Sequence, residues 1–486
     1  VPWLLFVLPA LADPWLDPVA TRAADCARAS GADALVGDGR WRPLEAASKL
    51  GLDGVSACAA LGGGLDHRLA EGWAWGVTPS LRIAGGDATP DNLGGDAERG
   101  LVSTAARVSG ELWGPWGAVI VEPELLAGVA PTGAELRFAA LWGELRWRGL
   151  SLGVGARDRW LGPGRHGSLL VSDNARPPWL GTAVAEGRLP GWFDRLGRLR
   201  VEAGAGVLAE PRDDVTHPGL LLIDMRWAPV SWVELGATRL SIFGGEGRPA
   251  VDVGQLLLPT EPHVYDDPDQ LLPDQNELAS LDFRVTLPLA RWVGGPVDYV
   301  EGWWQYGGED VIGRKLGPIP YPSLAGVGNL YGGAVKLGPI VVTGEYTRLL
   351  DDYFRWYVGH RVYHDGFTQR GRVMGHFGGP DSETAFGAVA WDGAPLRARL
   401  WGDWTRRVGV IEAQNNRLFT FMTEERALRL GVDVGASLAR RVWGAAGYSF
   451  ERVTGDDFVP GAEAGRHRVY VELAPARPWT GRLGQR

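Results

Sequence analysis

Sulfur is scarce in this chain, and so is positive charge. Of 486 residues, 2 are Cys and 3 are Met. A disulfide-stapled scaffold is therefore excluded, and Cys26 with Cys58 is the one bridge available in an oxidising compartment. Two separately buried thiols is the alternative. Lys and Arg total 49 against 58 Asp and Glu, a net charge of −9. That balance excludes the basic stripe of a nucleic-acid binder and gives no sign of attraction to anionic lipid. Beyond the first residues, no stretch approaches the roughly 18 uncharged apolar residues of a spanning helix. Such a chain crosses a bilayer only as a closed barrel, if it crosses at all.

The N-terminus is apolar. Residues 1–12, VPWLLFVLPALA, carry no charge and end Ala10-Leu11-Ala12, a small-x-small pattern. They look like the core and cleavage site of a secretory signal peptide. Residues 13–70 read as short helices. Asp17-Pro18 has the form of a helix start, with Val19, Ala23, Ala24 and Ala27 at helical spacing and Gly31 as a stop.

From residue 71 to 475 the period changes to two. Leu199, Val201, Ala203, Ala205 and Val207 alternate with Arg200, Glu202, Gly204 and Gly206. Leu396, Ala398 and Leu400 alternate with Arg397, Arg399 and Trp401, and Leu428 to Ala436, Val442 to Phe450 and Val469 to Leu473 repeat the pattern. Each run is about ten residues, apolar on one face and charged or small on the other, which is the pattern of a transmembrane β-strand. Soluble sandwich strands are shorter, nearer five or six residues. The expected fold is all-β, a transmembrane antiparallel β-barrel of about 18 strands with a small helical plug.

The links alternate in length. Trp391-Asp392-Gly393-Ala394 and Gly294-Gly295-Pro296 are tight-turn sequences. Long polar links are expected at about 85–99, 173–198, 244–279, 308–327 and 350–382, which gives the barrel one end of turns and one of loops. After the last strand, residues 476–486 read as a C-terminal tail.

Chemical motifs are sparse. Gly149-Leu150-Ser151-Leu152-Gly153 fits G-x-S-x-G, but a nucleophile elbow needs a strand-turn-helix and here the strand continues. His360, His364 and His376 with Asp365 are of the metal-binding residue types but lack a recognised ligand spacing. The acidic residues could include a glycosidase pair, whose separation the sequence does not disclose. Trp303, Trp304, Tyr306, Tyr353, Trp356, Tyr357, Tyr363 and Phe367 lie near Arg355, Arg361, Arg370 and Arg372 in the chain. Rings stack on sugars and arginine pairs with acidic sugar carboxylates, so this cluster is a candidate carbohydrate surface.

Two segments stand apart. In the first, Trp160-Leu161-Gly162-Pro163-Gly164 breaks a strand and Arg165 and His166 follow, then Ser172-Asp173-Asn174-Ala175-Arg176-Pro177. In the second, Tyr363-His364-Asp365-Gly366-Phe367-Thr368-Gln369-Arg370-Gly371-Arg372 is followed by Gly375-His376. The pair, in this order, resembles the capsule assembly Wzi family of outer-membrane proteins.

The resemblance implies an 18-stranded outer-membrane barrel whose N-terminal helical bundle closes the periplasmic mouth. It implies a lectin-like protein of the Gram-negative cell surface that binds and anchors capsular or extracellular polysaccharide without catalysis. The implied protein has no cofactor or metal, sits as a monomer in outer-membrane lipid and is inserted by the outer-membrane assembly machinery. Trp160, Arg165, Asn174 and Arg176, with Tyr363, Gln369, Arg370, Arg372 and His376, are the candidate residues for the lumen framework and for polymer contact. Two alternatives stay open on sequence: a diffusion porin and a secreted all-β carbohydrate-active enzyme.

Overall fold

The computed structural model describes residues 72–87, 102–128, 133–188, 195–251, 256, 275–316, 319–350, 355–393, 395–412, 419–439, 441–475 and 479–482. The signal segment, the helical bundle, Cys26, Cys58 and Tyr353 lie outside the described residues.

Strands dominate. In chain order they are β1 (Ala74–Gly86), β2 (Val102–Gly114), β3 (Gly117–Gly128), β4 (Ala134–Trp147), β5 (Leu150–Ala156), β6 (Trp179–Arg188), β7 (Arg198–Val207), β8 (Gly219–Val230), β9 (Val233–Phe243) and β10 (Gln275–Leu287). A four-residue helix α1 (Leu289–Trp292) precedes β11 (Val297–Leu316), β12 (Ile319–Leu337) and β13 (Ile340–Arg348). A small separate hairpin, β14 (Thr368–Gln369) and β15 (Arg372–Val373), follows. The chain ends with β16 (Ser382–Gly393), β17 (Leu396–Glu412), β18 (Phe419–Ala439), β19 (Val442–Thr454), β20 (Glu463–Pro475) and β21 (Trp479–Arg482).

In the main sheet each strand from β1 to β20 pairs antiparallel with the next, β13 pairing with β16 across the separate hairpin, and β1 pairs with both β2 and β20, so the sheet closes. β21 pairs with β1 at Ala74–Val77, beyond the part of β1 that pairs with β20. The two therefore make one interrupted stave, and the barrel has 18 staves, the number expected. Residues 479–482, assigned to a tail on sequence, belong to the wall. Pro475, the last residue of β20, lacks the N–H that a continuing ladder needs.

The alternation sorts side chains as the period demands. Leu150, Leu152 and Val154 point outward and are exposed, as are Leu400, Leu428, Leu430, Val432, Val469 and Val471. Arg200, Glu202, Arg397 and Asp403 point inward and are buried. Trp147, Trp391 and Trp479 are exposed toward the short-turn end, and Phe138, Trp179 and Tyr346 toward the other. On β4, Phe138 and Trp147 stand nine residues apart, about 23 Å along the barrel axis for a strand tilted by roughly 40°. That matches the apolar band of an outer-membrane barrel, about 25 Å tall. A two-layer sandwich is excluded because the sheet is continuous and closed.

Short turns gather at one end. Arg148 (φ 45°) and Gly149 (φ 81°) make the two-residue link from β4 to β5, a geometry that matches strand twist. Gly294 and Gly295 fall in a longer link that contains α1. The opposite end carries the long connections, but two expected loops are placed differently. Residues 308–327 are mostly strand, because β11 and β12 run on as a ladder to the pair Leu316 and Ile319. The 173–198 loop is instead 157–178, with β6 occupying 179–188. The Gly-Pro-Gly break already ends the strand pattern at β5, and the apolar positions of β6 resume it sooner than expected.

Candidate functional site

An 18-stranded barrel leaves a wide lumen unless something fills it. Among the described residues, three connections from the loop end fold inward: 157–178, 208–218 and the described part of 349–381. Together with inward residues of β6 and β8–β12 they form one apolar cluster that includes Leu169, Leu170, Leu208, Leu240, Trp303, Leu330, Trp356, Tyr357, Tyr363 and Phe367. The wall positions supplying it are apolar where other strands carry charge, for example Leu220 and Leu222 above Asp224 and Arg226 on β8.

The first motif is pinned to the wall by polar contacts. Glu345 of β13 accepts the backbone N–H of Arg165 at 2.9 Å and of Gly167 at 2.6 Å, and the Trp303 indole N–H at 3.1 Å. The Arg165 guanidinium pairs with Glu301 at 2.9 Å. Gln305 Oε1 accepts the Leu169 N–H at 2.9 Å. His166 stacks on Phe386 at 3.7 Å and lies 3.2 Å from Asp403. Trp160 is fully buried and donates its indole N–H to the Gly164 carbonyl at 2.9 Å, closing the Gly-Pro-Gly turn on itself.

The two motifs, nearly two hundred residues apart, meet. Ser172 N–H donates to the Met374 carbonyl at 2.7 Å, and Asn174 Nδ2 donates to the Val373 carbonyl at 3.0 Å. Tyr357 donates its hydroxyl to the Leu169 carbonyl and accepts the His376 N–H at 2.9 Å. The His376 ring lies so close to Gly167 that a Cβ there would stand 2.2 Å from it. Burial pushes the His376 imidazole down to about 3, so it is neutral, and Nδ1 accepts the Gly378 N–H. Burial likewise pushes the Tyr357 hydroxyl up, keeping it protonated as a donor.

The third connection locks the second motif from the other side. Asp214 accepts the Asp365 N–H at 2.8 Å, and Asp213 N–H donates to Asp365. Arg212 donates to the Gly366 carbonyl at 2.9 Å, and Glu210 accepts the Arg370 N–H at 2.8 Å. Burial opposes ionisation of Asp214, but Arg212 and the N–H groups of Val215 and Asp365 outweigh it and hold the carboxyl below its usual range.

The nine candidate residues thus divide. Trp160, Asn174, Tyr363 and His376 are buried in the plug, and Arg165 is held by the wall. Tyr363 donates its hydroxyl to the Gly244 carbonyl at 3.1 Å. Arg176 forms a two-pronged pair with Glu135 at 3.0 and 3.1 Å. Gln369, Arg370 and Arg372 lie on the β14–β15 hairpin, where the Arg370-Gly371 turn has positive φ at both residues. Arg372 reaches the Asn174 carbonyl at 3.4 Å. Gln369 Oε1 has no partner among the described residues. The Arg370 side chain is 57% exposed, 3.6 Å from Glu135.

The aromatic cluster behaves otherwise than the sequence suggested. Trp356, Tyr357, Tyr363 and Phe367 are buried together, and Trp303 faces inward, so these rings are core and offer no open sugar platform. Trp304 is on the exterior, stacked with Tyr331. Ser151 lies within β5, with no elbow around it. His360 Nδ1 accepts the N–H groups of Val362 and Tyr363. Sequence reading missed Glu345, Glu210, Asp214 and Gln305, the residues that fasten the plug. Their only sign in the sequence is an acid or amide at a lumen-facing position or in a loop, which many unrelated residues share.

The sequence profile described as capsule assembly protein Wzi matches residues 91–467. The fold is similar to that of Wzi from Escherichia coli, described as an outer membrane protein involved in group 1 capsule assembly and a carbohydrate-binding β-barrel. The TM-score is 0.64 at 18% identity, with 93% of this chain and 96% of that chain covered. It is also similar to OprD of Pseudomonas aeruginosa, with a TM-score of 0.50 at 10% identity, covering 85% of this chain and 98% of that one. At these identities the likeness is one of fold. No curated protein sequence matches this one.

Proposed function

Because the chain belongs to the capsule assembly protein Wzi family, we propose that it binds exported capsular or extracellular polysaccharide and holds it at the Gram-negative cell surface, without catalysis. The observation that carries this reading is the interlock of 157–178 with 349–381 across the lumen. Both family motifs are spent on filling the barrel at its loop end, which is the extracellular end in barrels of this class. A barrel filled in this way is a platform more than a conduit. Arg361, His364 and Arg370 of the plug are exposed and of basic type, suited to hydroxyls and acidic sugars. In this reading the buried candidates Trp160, Asn174, Tyr363 and His376 set the framework, and Arg370, with Arg372 and Gln369 beside it, meets polymer. The protein works as a monomer in outer-membrane lipid, is exported by its N-terminal segment and is inserted by the outer-membrane assembly machinery, and residues 13–70 close the periplasmic mouth.

Deleting the chain in its host is expected to leave polymer synthesis intact and to shift polymer from the cell surface to the medium. Unchanged surface retention would overturn the proposal. The porin reading is tested separately in planar bilayers, where large steady conductance from the wild-type barrel would favour it.

A further inference from the structure

The outer face of the barrel carries a line of charge where lipid-facing residues would otherwise continue. Arg348 of β13, Glu383 of β16, Arg406 of β17 and Arg426 of β18 are successive partners in the sheet register. All four share the outward parity of Val342, Val389, Leu400 and Leu430, which are exposed in the apolar band. Arg452 of β19 extends the line diagonally, opposite Leu428. Two residues toward the short-turn end the register partners are Tyr346, Ala385, Trp404 and Leu428, so aromatic and apolar side chains lie directly beneath the arginines. Tyr and Trp settle at the level of lipid headgroups, which places the guanidinium line at or just above that level on the loop side.

Acids are interleaved with the bases along this line. Glu383 is 14% exposed between Arg348 at 59% and Arg406, which it pairs at 3.2 Å. Glu424, 34% exposed, lies two residues toward the loop end from Arg426 at 58%, paired at 2.6 Å, and also pairs with Arg406 at 29%. Arg452, 62% exposed, pairs with Glu463 at 3.2 Å. The carboxylates orient the guanidinium groups, and each guanidinium has five N–H donors, more than its acid takes up. Lys49, Lys315 and Lys336 are the chain's only lysines, so the cations on this face are all of the planar, forked kind suited to phosphate.

We propose that Arg348, Arg406, Arg426 and Arg452 form a docking line for the phosphorylated glycolipid headgroups of the outer leaflet, with Tyr346 and Trp404 packed against the sugar–acyl boundary below. The occupant is a bilayer component that meets the barrel from the side. It is distinct from the polymer held at the loop end, and the headgroup phosphates are the chemistry recognised. The chain's net negative charge conceals the site, because it depends on which bases are exposed on one quarter of the wall.

The test uses the full-length barrel purified in detergent, with lipid A carrying both phosphates and its phosphate-free counterpart as probes, read by native mass spectrometry. Wild-type barrel is expected to retain the phosphorylated form at least about tenfold more than the phosphate-free form, with retention falling as salt rises. The triple variant Arg348→Gln, Arg426→Gln, Arg452→Gln is expected to lose that preference while keeping heat-modifiable mobility. Equal retention of the two probes by wild type would overturn the proposal even if the variant failed to fold. Retention that required magnesium and vanished with a chelator would overturn it too, since the carboxylates would then be holding a bridging cation. None of these outcomes depends on whether the barrel binds polysaccharide.

Discussion

Glu345 Oε1 accepts the backbone N–H of Gly167 at 2.6 Å, joining a buried wall carboxylate to the middle of the plug. The same side chain also takes the Arg165 N–H and the Trp303 indole. Removing one acceptor therefore orphans several donors at once. Glu345→Ala is expected to cost roughly 3 kcal/mol or more, since each hydrogen bond to a charged group contributes about 1.5–3 kcal/mol. Thermal unfolding in detergent would register that loss. If the plug is what closes the lumen, ion conductance in planar bilayers should rise in the same variant.

Asn174 and Arg370 separate framework from surface. Asn174→Ala removes the hydrogen bond to the Val373 carbonyl and is expected to destabilise by about 1–3 kcal/mol, exposing 349–381 to limited proteolysis. Arg370→Ala is expected to change stability by no more than about 0.5 kcal/mol, because its side chain is largely in water, yet to weaken polymer retention at the cell surface. Parallel measurement of melting temperature and surface-bound polymer would reveal whether the two effects come apart.

Acid is expected to loosen the contact between 208–218 and 349–381. Asp214 titrates below its usual range in the folded barrel, so the stability it contributes is fully present above about pH 4 and is lost as pH falls through the depressed value. Protease cleavage in 360–370 should therefore accelerate on acidification, measured with an acid-active protease. Asp214→Asn should cleave faster at neutral pH and lose the part of the acid response that Asp214 supplies.

Gly332 lies directly opposite Trp303, and a Cβ there would fall 2.3 Å from the indole. Gly332→Val should displace Trp303 from Glu345 and destabilise by roughly 1–3 kcal/mol through overpacking. A changed tryptophan emission with unaltered sheet content would identify the local cause. The same close pairing recurs between Trp401 and Gly431, which shows one use of a sequence holding 71 Gly and 23 Trp.

Much of the architecture was legible in the chain alone. Alternation in segments such as Leu396–Trp404 shows a wall with one apolar and one polar face, because strand side chains have a period of two and that does not depend on distant residues. The two motifs marked the segments that fill the lumen. What those motifs do was not legible. Tyr357, Tyr363 and Phe367 look like sugar-binding rings in a polar loop until folding packs them against Leu169 and Leu240. Whether a ring in a loop is surface or core depends on the path of the loop, which its own residues do not specify.

The sequence by itself determined a closed, two-faced sheet, since only that arrangement satisfies the backbone and the alternating faces of so many strands together. Tertiary structure alone decided that Ser172 and Asn174 would reach Met374 and Val373, that Glu345 would fasten the plug, and that Arg348, Arg406 and Arg426 would stand in one line. Those relationships depend on register and on loops entering the lumen, distances set by closure of the ring rather than by any local stretch of chain.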